Sequence, residues 1–154
     1  MSDIEIDQEV HRKLAVDLFN RVWELLDKSD RTPEEIDEMI HAAHASRHHW
    51  GEIGTSLEFE RGEWQISRVY STLKRSEPAR FHAARCLEIC EGNGIGDFDL
   101  AFAYEALARA HAVAGDGTKS REYIALAERA AEAIEDEGNR GYTLGEIANV
   151  KEML

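Results

Sequence analysis

The sequence contains few residues that break helices or cross-link a chain. Among its 154 residues, only Pro33 and Pro78 are prolines and only Cys86 and Cys90 are cysteines. Scarce proline permits long helices, and two cysteines four positions apart do not form the framework of a disulfide-stabilised protein. No apolar run approaches the roughly 20 residues that a membrane-spanning helix needs. These absences predict a helical protein of a reducing, cytoplasmic environment.

Basic residues are also in short supply, and the shortage limits the partners that the chain can bind. The sequence has 18 Lys and Arg against 31 Asp and Glu, which gives a formal net charge of -13. A protein that binds nucleic acid or an anionic membrane must present a basic surface to phosphate groups. We therefore expect neither nucleic acid nor a membrane as a partner. The first ten residues also lack the basic and apolar segments of a signal peptide.

Helix-forming residues dominate what the sequence does contain. Ala, Glu, Leu and Arg abound, and the hydrophobic content of 43% is ordinary for a folded domain. Apolar residues recur at helical spacing along the chain, which predicts one all-α domain of about seven helices in antiparallel pairs. The expected helices cover residues 7–28, 33–50, 58–75, 78–91, 97–114, 118–137 and 139–153.

Polar and small residues mark the ends of these helices. Thr32 and Glu35 have the spacing of a capping box, with a proline at the first helical position between them. Gly51 and Gly54 are expected to end the second helix, followed by a loop to residue 58. Asp97 is expected to cap the fifth helix at its N-terminus.

The third, fifth and seventh helices begin at intervals of about 40 residues, a period typical of helical-hairpin repeats. The copy at residues 100–131 resembles the tetratricopeptide repeat, and a looser copy precedes it. Over residues 58–150 the chain is similar to this family, although the period exceeds the usual ~34 residues. The matching positions are Ile66, Ser67, Tyr70, Ala79, Cys86, Tyr104, Leu107, Ala108, Gly115, Ala127, Leu144, Ile147 and Ala148.

The resemblance implies a right-handed superhelix that binds a protein or peptide in a concave groove. It divides the chain into a divergent helix pair at 1–56, repeats at 57–96 and 97–137, and a capping helix at 138–154. The apolar residues of this last helix also suggest a homodimer. The family's register places Arg61 near the groove and assigns four residues to its surface: Trp64, Arg68, Glu105 and Arg109. The arginines could hold a ligand carboxylate, or they could be solvated or ion-paired within the chain.

A histidine stripe on the second helix supports a different hypothesis. His41, His44 and His48 follow helical spacing, and the last two have the i,i+4 separation that can chelate zinc or a similar divalent transition metal. A third ligand would have to come from Glu60, Glu63 or His82. The alternative function is therefore a metal-binding protein, or a metal-dependent enzyme, although no HExxH motif is present. The same histidines could instead form a polar surface or respond to pH.

The fourth helix offers cysteines, which have a simpler interpretation. Cys86 and Cys90 share a helical face with Ala79 and Ala83, so they are expected to pack as small apolar residues rather than to act as metal ligands or nucleophiles. No arrangement of nucleophile and base emerges elsewhere in the sequence. The sequence therefore favours an interaction module over an enzyme, and leaves catalysis open.

Overall fold

The computed structural model describes residues 5–154, and the regular structure in this range is helical. The first four residues of the expected helix pair at 1–56 lie outside it. The prediction of an all-α chain with seven helices is confirmed for the described range. None of these helices has both the length and the hydrophobicity needed to cross a membrane. The helices are α1 (Gln8–Leu26), α2 (Pro33–Ile53), α3 (Ser56–Thr72), α4 (Ser76–Gly92), α5 (Asp97–Val113), α6 (Gly117–Glu132) and α7 (Glu137–Glu152).

Neighbouring helices pack in pairs, and the pairs lie side by side. α1 packs on α2, α3 on α4 and α5 on α6, while α7 contacts both α5 and α6. The odd-numbered helices also contact one another in order: α1 with α3, α3 with α5, and α5 with α7. They therefore form one face of the molecule, which we call the odd-helix face.

Small side chains let the helices approach closely. In α4, Cys86 and Cys90 are fully buried and pack against Ala103 of α5, as the small-residue face of the sequence predicted. Ser67 of α3 and Ser120 of α6 each donate a buried hydrogen bond, 2.8 Å long, to a backbone carbonyl of the partner helix in the pair. The helix pairs are thus held by close contact and by a few well-placed polar bonds.

One helix boundary was predicted correctly and its neighbour was not. The capping box of Thr32 and Glu35 is present with both hydrogen bonds. The expected end of the second helix at Gly51 is wrong, because α2 continues to Ile53, but Gly54, the other glycine expected to end it, is its C-cap. A second capping box, between Thr55 and Glu58, then starts α3 at once. A glycine is tolerated inside a helix, whereas a capping box specifies a start.

Two further boundaries differ from the sequence prediction. Asp97 is the first residue of α5 rather than its cap, and it adopts the left-handed region with φ of 54°. α6 ends at Glu132, several residues earlier than expected. The reason lies in α7, where the Asp136 side chain accepts a hydrogen bond from the Asn139 amide over 2.7 Å and fixes the start of that helix. The loop between α6 and α7 must precede this cap.

Replacing Thr32 by alanine tests the capping box. Thr32→Ala removes the oxygen that accepts from the Glu35 amide, so we expect the free energy of unfolding to fall by about 1 kcal/mol. Urea-induced unfolding followed by circular dichroism measures the change. Thr118→Ala, at an exposed position in the first turn of α6, is the control and should be nearly neutral. Equal losses in the two variants would contradict the capping role.

Candidate functional site

The odd-helix face contains a pocket of about 230 Å³ that every odd-numbered helix helps to line. Its polar lining consists of Glu60 and Arg61 from α3 and Asp99 from α5. The rest of its wall is aromatic, and we call it the aromatic pocket. The aromatic residues are Phe19 and Trp23 from α1, Trp64 from α3, Phe98 and Phe102 from α5, and Tyr142 from α7.

The aromatic rings hold one another in defined orientations. The Trp64 and Phe102 rings meet edge to face with centroids 5.5 Å apart, and Phe102 meets Phe98 in the same way at 5.2 Å. Trp23 lies against the other side of Trp64, at 5.5 Å. Edge-to-face contacts of this kind add stability beyond the burial of area. Tyr142 is 61% exposed and forms the rim, so the pocket opens toward solvent.

An arginine and two carboxyl groups form the polar side of the aromatic pocket. Arg61 donates from Nε and Nη2 to the two carboxylate oxygens of Asp99, over 2.9 and 3.1 Å. This bidentate arrangement fixes the plane of the guanidinium group, which also lies over the Phe98 ring at 5.8 Å. The positive charge of Arg61 is therefore paired with Asp99 within the pocket wall.

Glu60 is the buried member of this group, with 1% of its surface exposed. Its Oε2 accepts from the thiols of Cys86 and Cys90, with sulfur–oxygen distances of 3.4 and 3.6 Å. No donor group reaches its Oε1 among residues 5–154, and the protonated carboxyl group instead shares a hydrogen bond with the Asp99 carboxylate. Burial, and next the nearby Asp99 carboxylate, raise the pKa of Glu60 to about 10. The carboxyl group is therefore protonated at neutral pH when no ion is bound.

We call Glu60, Cys86 and Cys90 the thiol–carboxyl cluster. Within the described part of the chain, it is the one group of three His, Cys, Asp or Glu residues whose ligand atoms all lie within 4.8 Å of one another. The neighbouring Cys90 thiol, and next burial, raise the pKa of Cys86. The cluster is thus a compact set of metal-ligand types on two adjacent helices.

The predicted groove residues lie together on the odd-helix face. Arg68 and Arg109 both donate to Oε1 of Glu105, over 3.3 and 2.7 Å. Both also contact Oε2 of Glu146 in α7, at 3.1 and 3.3 Å. We call these four residues the arginine–glutamate network. Trp64 lines the adjacent aromatic pocket, where the Arg68 guanidinium lies over its ring at 5.2 Å.

The network realises one of the two arrangements considered for the arginines, namely ion pairs within the chain. Glu105 has no exposed surface, and a buried carboxylate is costly unless charged partners surround it. Its Oε2 nevertheless lacks a hydrogen-bond partner in the range 5–154. The two arginines and two glutamates of the network therefore balance in formal charge, and one buried acceptor is left without a partner.

The histidine stripe lies away from the aromatic pocket, and its members have different environments. His44 shares a hydrogen bond of 2.9 Å between its Nε2 and the Tyr70 hydroxyl. His48 Nε2 lies 3.9 Å from Glu52 Oε1 on the same helix, and His41 is exposed. A metal site formed by these three histidines stays a prediction.

His82 joins His44 to a neighbouring carboxylate. The rings of the two histidines meet edge to face at 5.4 Å, and His82 Nδ1 lies 2.6 Å from Glu63 Oε2. Arg47 approaches the other oxygen of Glu63 at 3.4 Å. Burial and then the neighbouring His82 lower the pKa of His44. These contacts link α2, α3 and α4 by polar bonds.

Sequence reasoning missed most of the aromatic pocket. Phe19 and Trp23, and likewise Phe98 and Phe102, are spaced four apart and so project from one helical face. That spacing was a usable signal. The contact of Glu60 with the two cysteines had no such signal, because 26 and 30 residues separate them along the chain.

Comparisons with models of protein families, with curated proteins and with solved structures find no match for this chain. The function of the odd-helix face has to follow from its own chemistry. That chemistry consists of the aromatic pocket, the arginine–glutamate network beside it, and the buried thiol–carboxyl cluster, whose Glu60 also lines the pocket.

The arginine–glutamate network can be tested by removing its buried member. Glu105→Ala leaves two largely buried guanidinium groups with Glu146 alone, so we expect the free energy of unfolding to fall by about 3 kcal/mol. Glu122→Ala removes an exposed ion pair with Lys119 and should change it by less than about 0.5 kcal/mol. Urea unfolding measures both. Similar small effects would show that the buried network does not stabilise the fold.

The protonated state of Glu60 predicts an unusual dependence of stability on pH. The folded pKa of about 10 lies above the ordinary value of 4.5, so the unfolded chain loses this proton first as the pH rises. Wild-type protein therefore loses stability between these two values. Glu60→Gln keeps the shape of the side chain and removes its titration. The melting temperature of the variant minus that of wild type should therefore increase as the pH is raised from 4.5 to 8.

The measurement is a thermal melt in the presence of a chelator, so that no metal contributes. Glu88→Gln, at an exposed position of α4, is the matched control and should follow wild type at every pH. A difference between Glu60→Gln and wild type that does not vary with pH would show that Glu60 is already ionised in the folded protein.

Proposed function

We propose that the chain is a tetratricopeptide-like interaction module, a right-handed superhelix that binds a segment of a protein or peptide partner on its odd-helix face. The observation that carries the proposal is the aromatic pocket, to which every odd-numbered helix contributes. In a helical-hairpin repeat the first helices of successive pairs form one continuous surface. The side-by-side contacts of the odd-numbered helices support such an arrangement.

The size and lining of the aromatic pocket favour an apolar side chain as its occupant. A volume of about 230 Å³ is below the roughly 300–1,000 Å³ of pockets that enclose drug-sized molecules. An aromatic wall gives an inserted apolar group a large contact area with little loss of side-chain freedom. One anchoring side chain in a pocket, with weaker contacts around it, is a frequent design of protein interfaces.

The ion pairs argue against a ligand carboxylate as the main recognition element. Arg68 and Arg109 each contact two glutamates, and Arg61 holds Asp99 in a bidentate pair. A ligand carboxylate would have to displace one of these partners and leave it unpaired. We therefore assign the binding energy to the apolar anchor.

Selection from a library of displayed random peptides tests the proposal. Peptides enriched on the protein should share an apolar side chain and should bind with a change in tryptophan fluorescence. A Trp50→Phe background leaves Trp23 and Trp64, both in the aromatic pocket, as the remaining tryptophans. In this background Tyr142→Ala should weaken the selected peptides at least about tenfold, the loss expected for an interface anchor contact.

Phe81→Ala is the matched control. Phe81 is aromatic and 66% exposed, close to the 61% of Tyr142, but it lies on α4 and outside the aromatic pocket. The control should bind the peptides as the parent does. Failure to enrich any peptide, or equal weakening by Tyr142→Ala and Phe81→Ala, would contradict binding at the pocket.

A further inference from the structure

We propose that the thiol–carboxyl cluster of Glu60, Cys86 and Cys90 is a binding site for a zinc ion. The site is distinct from the histidine stripe of α2 and does not depend on peptide binding by the odd-helix face. Its donors are two sulfur atoms and one carboxylate oxygen, and all three residues are buried. Thiolates select zinc and other soft ions, and the carboxylate favours divalent zinc over monovalent copper.

The two sulfur–oxygen distances agree with edges of a tetrahedron around zinc, and the two sulfur atoms lie within 4.8 Å of each other. With zinc–sulfur bonds of about 2.3 Å and zinc–oxygen bonds of about 2.1 Å, sulfur and oxygen ligands lie about 3.6 Å apart. The observed distances from Glu60 Oε2 to the sulfur atoms of Cys86 and Cys90 are 3.4 and 3.6 Å. An ion can therefore be held with only small movements of the side chains.

The helices present the ligands in a fixed arrangement. Cys86 and Cys90 lie one turn apart on α4, where the i,i+4 spacing places both sulfur atoms on one face. Glu60 comes from α3, the partner of α4 in its helix pair. Ligands on packed helices are held more precisely than ligands on loops. The third ligand is thus supplied across a helix–helix contact that the fold already requires.

The environment of Glu60 is an independent sign that a cation belongs beside its carboxyl group. Its side chain is 2% exposed, no donor reaches Oε1 in the described range, and the nearest acidic neighbour, Asp99, adds a second negative group. Thiols are weak donors, so the contacts to Oε2 replace little of the hydration that the carboxyl group loses. Small apolar residues would fill this space at lower cost. A divalent cation would neutralise the carboxylate and both thiolates by direct bonds.

Three protein ligands leave one position of a tetrahedral ion for water or another small ligand, the pattern of open zinc sites. Access is available because Glu60 also lines the aromatic pocket. The Arg61 Nε, which donates to Asp99, lies 3.8 Å from Glu60 Oε1 and adds positive charge beside the bound carboxylate. Zinc binding displaces the protons of the three ligands to solvent, and no oxidation or reduction is involved.

Cobalt titration of the full chain tests the site directly. The protein is purified without a histidine tag, reduced, freed of metal with a chelator, and titrated with Co²⁺. We expect one Co²⁺ per chain and a near-ultraviolet thiolate-to-cobalt charge-transfer band, both removed by an excess of Zn²⁺. Since Cys86 and Cys90 are the only cysteines of the sequence, the band can come from no other thiolate.

Variants then assign the ligands. Cys86→Ala plus Cys90→Ala should abolish the band, and Glu60→Gln should weaken Co²⁺ binding at least about tenfold, since even outer residues of metal sites contribute this much. His44→Ala plus His48→Ala is the control and should leave the band unchanged. Circular dichroism establishes that each variant is folded.

The wild-type titration decides the question even where a cysteine variant fails to fold. Absence of the charge-transfer band at excess Co²⁺ overturns the proposal. So does a band that Glu60→Gln leaves unchanged, because the carboxylate is then not a ligand. A stoichiometry of one ion per two chains, with a doubled mass in sedimentation, would assign the thiolates to a bridge between molecules and would also overturn it.

Discussion

The close packing around α5 is the constraint on which the rest of the structure depends. α5 contacts α3, α4, α6 and α7, and it can do so because alanines occupy most of its buried positions. Larger side chains would push one of these neighbours away. From this central position α5 places Phe98, Asp99 and Phe102 in the aromatic pocket and Glu105 and Arg109 in the network. The small side chains of the core therefore determine where the residues of the pocket and the network lie.

Two buried glutamates on the odd-helix face are accommodated in different ways. Glu105 lies between two guanidinium groups, which compensate the loss of hydration by direct ion pairs. Glu60 has thiols beside it and reaches Arg61 only at 3.8 Å, so it keeps its proton instead. The face consequently combines the arginine–glutamate network, in which the charges are paired, with a nearly neutral aromatic pocket. An apolar anchor suits the pocket, and the network fixes the orientation of the pocket walls.

The sequence predicted those features that depend on local spacing. The number of helices and the capping box at Thr32 follow from the spacing of apolar residues and from one short motif. The prediction that α2 ends at Gly51 was wrong because, in a sequence, a glycine inside a helix resembles a glycine that ends one. Only the Thr55–Glu58 box, which was overlooked, distinguishes the two cases.

The site was less predictable because it depends on residues far apart in the sequence. The repeat register placed Trp64, Arg68, Glu105 and Arg109 on one surface, and they do lie together. Whether the arginines were free or paired depended on Glu146, which is 78 residues from Arg68 and 37 from Arg109. The pair of Arg109 and Glu105 has the i,i+4 spacing of a helix and could have been expected. The contacts of Arg68 with Glu105, and of both arginines with Glu146, are made by the stacking of α3, α5 and α7 and have no such signal.

Glu60 is the residue at which the aromatic pocket and the thiol–carboxyl cluster meet. One carboxyl oxygen faces the thiols, and the other lies toward Arg61 and the pocket wall. Its charge cannot change on one side alone, because both oxygens belong to the same group. A cation held by Oε2 would convert a neutral acid in the pocket wall into a bound carboxylate and would change the groups that Oε1 prefers. Binding at the two sites would then be coupled, and by thermodynamic linkage the coupling would act equally in both directions.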